Sequence, residues 1–228
     1  MANRYRHEYK YIIDACQEEI LKIRAMGVMA KDGHVDADGT YTIRSLYFDD
    51  IDNTCFYENQ NGTDPRSKFR IRYYGLDTSR ISLEKKSKKS GMTFKESCLI
   101  SEEECTKLMN GEYITDFTDA SEMKKKLLLE LQVRRLLPKT IVTYNRIPFV
   151  YSAGNVRVTF DRMITSSDDV KAFLTGEYRQ RPVMEAGSSI LEVKWDEVLP
   201  LHIKDVLSID SLSWTAFSKY YMCRVHHL

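Results

Sequence analysis

Charged residues recur at every second position along several short stretches of this chain, and that spacing is where its chemistry starts. In an extended strand, residues i and i+2 share a face. In Phe69-Arg-Ile-Arg-Tyr73, Arg70 and Arg72 therefore point one way, and Phe69, Ile71 and Tyr73 the other. The same rule groups Arg6, Glu8 and Lys10; Glu84 and Lys86; Tyr144 and Arg146; Arg157, Thr159 and Asp161; and Glu192 and Lys194. A single stretch of this kind reads as an ordinary sheet with one wet face. The set reads differently, because these faces are rich in arginine and repeatedly place one acid beside one or two bases. Arginine suits bidentate contact with oxyanions. Like charges about 4 Å apart repel by ~4 kcal/mol at an effective dielectric near 20. A bound polyanion would turn that repulsion into attraction. The carboxylates among them suggest a divalent cation, since Mg²⁺ or Mn²⁺ is commonly shared between one or two carboxylates and substrate phosphates. Glu192 is the first candidate ligand. Glu8, Glu84 and Asp161 follow, with an ion pair to a neighbouring base as the competing reading for Glu84 and Asp161.

Eight strands are predicted to carry these faces: Arg6–Ile13, Tyr41–Asp49, Ser67–Tyr74, Ile81–Lys88, Thr93–Ile100, Thr140–Tyr151, Val156–Ile164 and Ser189–Trp195. Each is rich in β-branched or aromatic residues and bounded by turn formers such as Asn61-Gly62, Ser90-Gly91 and Gly154-Asn155. Sequential short strands point to antiparallel pairing. Helices fill the gaps. One is capped by Asp14 and runs to Met26; a second opens on the capping box Ser101-Glu-Glu-Glu104 and ends near Asn110-Gly111. A third spans Glu122–Leu136 and stops at Pro138, and shorter ones cover His202–Leu207 and Ser218–His226. The expected fold class is α+β, an eight-stranded antiparallel β-barrel with peripheral helices. Its apolar faces would lie outward under the helices and its charged faces inward. An eight-stranded barrel is just wide enough for its own side chains, so charges there need a ligand or each other.

Composition narrows the function classes. The 228 residues carry 34 Lys+Arg against 33 Asp+Glu, a net charge of +1, which argues against non-specific nucleic-acid coating. With 43% hydrophobic residues, ten Gly and five Pro, the chain is expected to fold as one domain over 1–228. No apolar run approaches the ~20 residues of a membrane span, and the N-terminus has no signal-peptide pattern. The five cysteines are scattered, without a CxxC pair, which fits free thiols in the cytoplasm rather than disulfides or structural zinc.

Seven segments together carry a resemblance. Arg6-His-Glu-Tyr-Lys-Tyr11, Phe69-Arg-Ile-Arg72, Leu83-Glu-Lys-Lys86, Tyr144-Asn-Arg146, Val156-Arg-Val to Asp161, Leu191-Glu-Val-Lys194 and Phe217-Ser-Lys219 occur in an order that resembles the VTC (vacuolar transporter chaperone) domain. That domain is the polyphosphate polymerase branch of the triphosphate tunnel metalloenzymes, related to the CYTH group. The resemblance implies a tunnel of eight antiparallel strands and an enzyme that moves the terminal phosphate of ATP onto inorganic polyphosphate with Mn²⁺ or Mg²⁺. It implies that Lys10, Arg70, Arg72, Lys86, Lys95, Arg146, Arg157, Lys194 and Lys219 bind the triphosphate and chain. Among these, Arg70, Arg72, Lys86 and Arg146 act on the transferring phosphoryl group with Glu192, which resembles the metal-ligating glutamate of the last tunnel strand; Glu8, from the alternation above, is the second candidate metal ligand. A triphosphatase in the same tunnel, or a binding module for polyphosphate or nucleotide, are the alternatives. Two positions depart from the family pattern: Arg6 replaces the first acid of a Glu-x-Glu-x-Lys opening, and Ala216 stands where some relatives carry a second lysine.

Other features are read as structural. Within Lys85-Lys-Ser-Lys-Lys89 only Lys86 is assigned to the inward register, and the remainder to a solvated strand end or an electropositive mouth. His7 is expected to be structural, and Asp49-Asp50 to end a strand.

Overall fold

The computed structural model describes residues 5–207, 211–225 and 227. In chain order the elements are β1 (His7–Ile13), α1 (Ala15–Met26), β2 (Ala30–Lys31), β3 (Tyr41–Asp49), α2 (Thr54–Gln60), β4 (Arg66–Tyr74), β5 (Asp77–Lys89) and β6 (Met92–Ile100). They continue with α3 (Glu102–Met109), α4 (Glu122–Val133), β7 (Leu137–Tyr151), β8 (Val156–Ser167), β9 (Arg181–Pro182), β10 (Ser189–Trp195), α5 (Leu201–Leu207) and α6 (Lys219–Val225). The eight long strands form one antiparallel sheet in the order β1-β10-β8-β7-β3-β4-β5-β6, and two-residue β2 and β9 pair with β7 and β8. The sheet curls until its ends meet. Arg6 and Thr93 exchange two backbone hydrogen bonds of 2.9 Å, joining the chain just before β1 to β6.

The convex face matches the predicted alternation. Phe69, Ile71 and Tyr73 of β4 and Leu83 of β5 are fully buried against Cys105 and Leu108 of α3 and Leu127 and Leu131 of α4. On the other side of the barrel, Tyr11, Val158, Phe160, Leu191 and Val193 pack under Leu21 and Ala25 of α1 and Ile203 and Leu207 of α5. Asp14 and Ser101 each close a reciprocal capping box, so α1 and α3 begin where their sequences place them.

The concave face departs from expectation. It is charged over one half and apolar over the other, where Tyr41, Ile43, Val142 and Ile190 pack with Cys55 and Phe56 of α2 and Tyr220 and Cys223 of α6. These two helices pack on the inside of the curl. The sequence reading has no α2. It is anchored by Asp49, whose carboxylate accepts the Cys55 and Phe56 N–H groups (2.8 and 3.0 Å) and the Tyr220 hydroxyl (2.5 Å). Asp49 thus ends its strand by capping a helix. The third predicted helix is shorter than expected, because Arg135 adopts φ +52° and turns the chain, and Pro138 then enters β7 at a bulge opposite Phe48. The last predicted helix begins one residue late, and its predicted end, His226, lies outside the described residues.

Candidate active site

The charged half of the concave face and the crossing segment Trp214–Tyr220 enclose one cavity. The segment is pinned by a backbone bond from Thr215 to the Lys10 carbonyl (2.9 Å), and Lys10 Nζ donates to the Phe217 carbonyl (3.2 Å). The cavity holds about 1050 Å³ of atom-free space, counting its open mouth. Ten lysine and arginine side chains line it, against two carboxylates, Glu8 and Glu192.

Strand register accounts for the inner charge pairs. β1 and β10 place Lys10 opposite Glu192 and Glu8 opposite Lys194, so two opposite-charge cross-strand pairs lie side by side. Lys10 Nζ reaches Glu8 (2.9 Å) and Glu192 (3.5 Å); Lys194 bonds Glu192 and lies 3.7 Å from Glu8; Lys86 bonds Glu8 at 2.6 Å. Across β4 and β5, Arg70 grips Glu84 with Nε (2.7 Å) and Nη2 (2.6 Å) and donates to the Tyr47 hydroxyl (3.0 Å). Arg72 donates to Ser45 (3.0 Å) and to the Tyr144 hydroxyl (3.1 Å). On β7 and β8, Arg146 holds Asp161 through two bonds of 2.6 and 2.7 Å, and Lys219 from the start of α6 adds a third at 2.6 Å.

These pairs set the ionisation of the site. Burial would raise the Glu8 carboxyl, but Lys10 and Lys86 outweigh it and hold Glu8 well below the usual carboxylate range. Glu192 is likewise held low, burial being overcome by Lys194, Lys10 and Arg146. Asp161 and Glu84 are lowered despite burial, the first by Arg146 and Lys219, the second by Arg70 and Arg72. All four are therefore anionic at neutral pH. Lys86 goes the other way: burial pulls its ammonium down to about 7, with Glu8 opposing and Lys10 and Lys194 assisting.

Nine predicted residues meet in this cavity: Glu8, Lys10, Arg70, Arg72, Lys86, Arg146, Glu192, Lys194 and Lys219. Two do not. Lys95 faces inward across from Lys86, but its side chain is 53% exposed and is spent on Glu84 (2.9 Å) outside the cavity lining. Arg157 lies away from the lining and pairs with Asp32, with the Tyr41 hydroxyl 3.4 Å away. Glu84 and Asp161 are buried ion-pair partners. Ala216 lines the cavity, and Arg6 is engaged with Asp196 (2.7 Å). His7 stacks on Trp195.

Three further cations, Arg66, Lys68 and Lys88, line the mouth. The alternation marks them too: Lys68 and Arg66 are two and four residues before Arg70, and Lys88 is two residues after Lys86. The assignment of Lys86 as the only inward lysine of its run is thus corrected. Tyr47, two residues before Asp49 on β3, also lines the cavity, and its apolar ring hid it from a reading of charges.

Glu8 and Glu192 are the carboxylates able to meet a metal. Among the described residues no cluster of three or more His, Cys, Asp or Glu side chains could hold one. A two-carboxylate set on a cationic wall fits a hard divalent ion that completes its shell with phosphate oxygens and water, and does not fit an all-protein cage.

No helix of the described residues is long and apolar enough to cross a membrane. No curated protein sequence matches the chain. Among solved structures it is similar to a candidate adenylyl cyclase from Hippeastrum described as having a dominant triphosphatase activity (14% identity, 98% of this chain and 96% of that one, TM-score 0.55). It is also similar to a candidate adenylate cyclase from Bacillus halodurans (15% identity, 96% of each chain, TM-score 0.53). At these identities the likeness is one of fold, and it agrees with the curled eight-stranded antiparallel sheet described above. The model of the VTC domain matches residues 5–226, and the chain belongs to the VTC domain family.

Proposed function

We propose that this chain is a metal-dependent polyphosphate polymerase, transferring the terminal phosphate of ATP onto a growing inorganic polyphosphate. The observation that carries the reading is the charge of the cavity: ten cations line it, and among the described residues four carboxylates, Glu8, Glu192, Glu84 and Asp161, lie within 4 Å of any of them. The chain as a whole has a net charge of only +1, so the excess is concentrated here. A polyanion is the ligand that such a wall stabilises.

A terminal phosphate oxygen of the acceptor attacks the γ-phosphorus. A new P–O bond forms as the bond from that phosphorus to the β,γ-bridging oxygen breaks, and ADP leaves. The acceptor oxygen is already anionic, so no strong base is required, and catalysis rests on positioning and electrostatics. Arg70, Arg72 and Arg146, each braced by a buried acid or a tyrosine hydroxyl, would fix the equatorial phosphoryl oxygens. Lys10, Lys86, Lys194 and Lys219 would neutralise the flanking phosphates. Mn²⁺ or Mg²⁺, held by Glu192 and Glu8, would add charge neutralisation at the transferring group. Polymerase is favoured over triphosphatase by Arg6, which occupies the first acidic position of the Glu-x-Glu-x-Lys opening and is bound to Asp196. The five free cysteines support a reducing, cytoplasmic setting.

The test is ³¹P NMR of purified protein with ATP and Mn²⁺, with Glu192→Ala alongside. The expected result is growth of a mid-chain phosphate resonance that the substitution abolishes. Orthophosphate as the sole product would replace polymerase by triphosphatase, and bound but unreacted triphosphate would leave a binding module.

A further inference from the structure

The cavity's cations fall into two sets. The seven inner ones each lie within 4 Å of a carboxylate, but Arg66, Lys68 and Lys88 at the mouth have none among the described residues. Arg66 donates to the Thr63 carbonyl (2.6 Å), Lys68 to the neutral oxygens of Asn59 and Ser218 (2.6 Å each), and Lys88 to no described group. The register makes this more costly still. Arg66 stands directly opposite Lys88, and Lys68 directly opposite Lys86, which in turn faces Lys95. Like charges directly opposed across strands destabilise a sheet. In the second row Lys86 and Lys95 are relieved by Glu8 and Glu84, but Lys68, like the Arg66–Lys88 pair, has no carboxylate within 4 Å among the described residues, so bound anions stabilise this edge of the site. Burial, reinforced by Lys10 and Arg66, pushes the Lys68 ammonium well below its ordinary value, which agrees with a missing counter-charge. Lys68 also has a third N–H donor to spare.

We infer that Arg66, Lys68 and Lys88 form a second phosphate subsite at the cavity mouth, which holds phosphoryl units of a linear polyphosphate beyond those gripped by the inner arginines. Arg72, Arg70, Lys68 and Arg66 form an unbroken inward row on β4 spanning about 20 Å at ~3.3 Å per residue. Such a row is matched by a polymer of phosphates rather than a single one. The inference rests on the reading of the cavity as a polyphosphate site, and it assigns the mouth to chain length rather than to transfer.

Isothermal titration calorimetry with inorganic tripolyphosphate and with a long linear polyphosphate, in EDTA at fixed ionic strength, tests it. The unsubstituted chain should bind the long polymer more tightly. An Arg66→Gln, Lys88→Gln double variant should lose about tenfold for the long polymer, the product of two exposed charge contacts, and less than about twofold for tripolyphosphate. Its plot of log affinity against log salt for the long polymer should flatten by about two ion equivalents, by analogy with nucleic-acid phosphates. Equal losses for both ligands, or an unchanged long-polymer affinity, would overturn the inference. If the double variant melts lower, Lys88→Gln alone, which removes no hydrogen bond to a described group, gives the reading. Turnover is measured separately. Length discrimination without phosphoryl transfer keeps this subsite and sinks the polymerase; transfer without discrimination does the reverse.

Discussion

Asp161→Asn isolates the charge architecture in one atom change. Asp161 is fully buried, receives two bonds from Arg146 and one from Lys219, and has no solvent to replace them. Asparagine keeps the shape but removes the carboxylate that Arg146 and Lys219 share, leaving Lys219 without an ion-pair partner among the described residues and Arg146 with only Glu192 at 3.6 Å; breaking a buried pair in this way typically costs about 3–5 kcal/mol. For a chain of this size that is a fall in melting temperature of roughly 6–20 °C. The acid limb supplies the sign. Burial raises the Asp161 carboxyl but Arg146 and Lys219 lower it further, so its folded value lies below its unfolded one, near 3.9. Its stabilisation is therefore present above about pH 4 and lost as pH falls through the folded value. The gap between the two proteins should be full at pH 7 and shrink in strong acid. Because Arg146 and Lys219 line the cavity, saturating tripolyphosphate should also narrow the gap by supplying the missing anion. Urea melts at several pH values, with and without tripolyphosphate, read all three effects. A loss under about 1 kcal/mol at pH 7, or a gap that persists unchanged into acid, would refute the assignment of Asp161 as the counter-charge of this half of the site.

Two further expectations follow from single groups. Lys86, drawn to about 7 by burial, is largely neutral at pH 8 in the empty cavity, so polyanion binding should take up a proton. Calorimetry in buffers of different ionisation enthalpy should show that uptake, affinity should weaken from pH 7 to 9, and Lys86→Gln should reduce both effects, Lys68, whose ammonium burial also pushes down, carrying the remainder. Ser101→Ala removes the hydroxyl that accepts the Glu104 N–H at the start of α3 and should cost about 1 kcal/mol in a denaturant melt, without altering tripolyphosphate affinity.

Much of the wall was legible because a strand's period of two is exact. Once Arg70 and Arg72 share a face, Phe69, Ile71 and Tyr73 must share the other, and both faces hold in the structure. Period alone does not give height along the barrel. Arg157 has the inward parity, yet it lies away from the cavity lining and spends its charge on Asp32, a residue more than a hundred positions earlier. Lys95 has the parity too, and is taken up by Glu84. The interior helices were less legible for a different reason. An amphipathic turn such as Lys219–Val225 states that Tyr220 and Cys223 are buried, not against which side of a sheet. Asp49 illustrates the same limit: its role in joining β3, α2 and α6 depends on Tyr220, 171 residues away.

The arrangement of acids and bases explains how one cavity can be both stable when empty and receptive to a polyanion. Seven inner cations are pre-paired with four carboxylates, and each carboxylate serves at least two bases. No inner base therefore stands as an uncompensated buried charge, the condition that most destabilises a fold. Pairing at that ratio still leaves positive charge in excess, so phosphate oxygens add interactions without first breaking every ion pair. Glu8 and Glu192 carry a second consequence. Lys10 and Lys194 hold both of them, and a divalent ion arriving alone must compete with these ammonium groups. Arriving with phosphate, it offers those lysines other oxygens to bind. On the proposed reading, metal and substrate therefore bind cooperatively, and the lysines between the two glutamates are the residues through which each raises the affinity of the other.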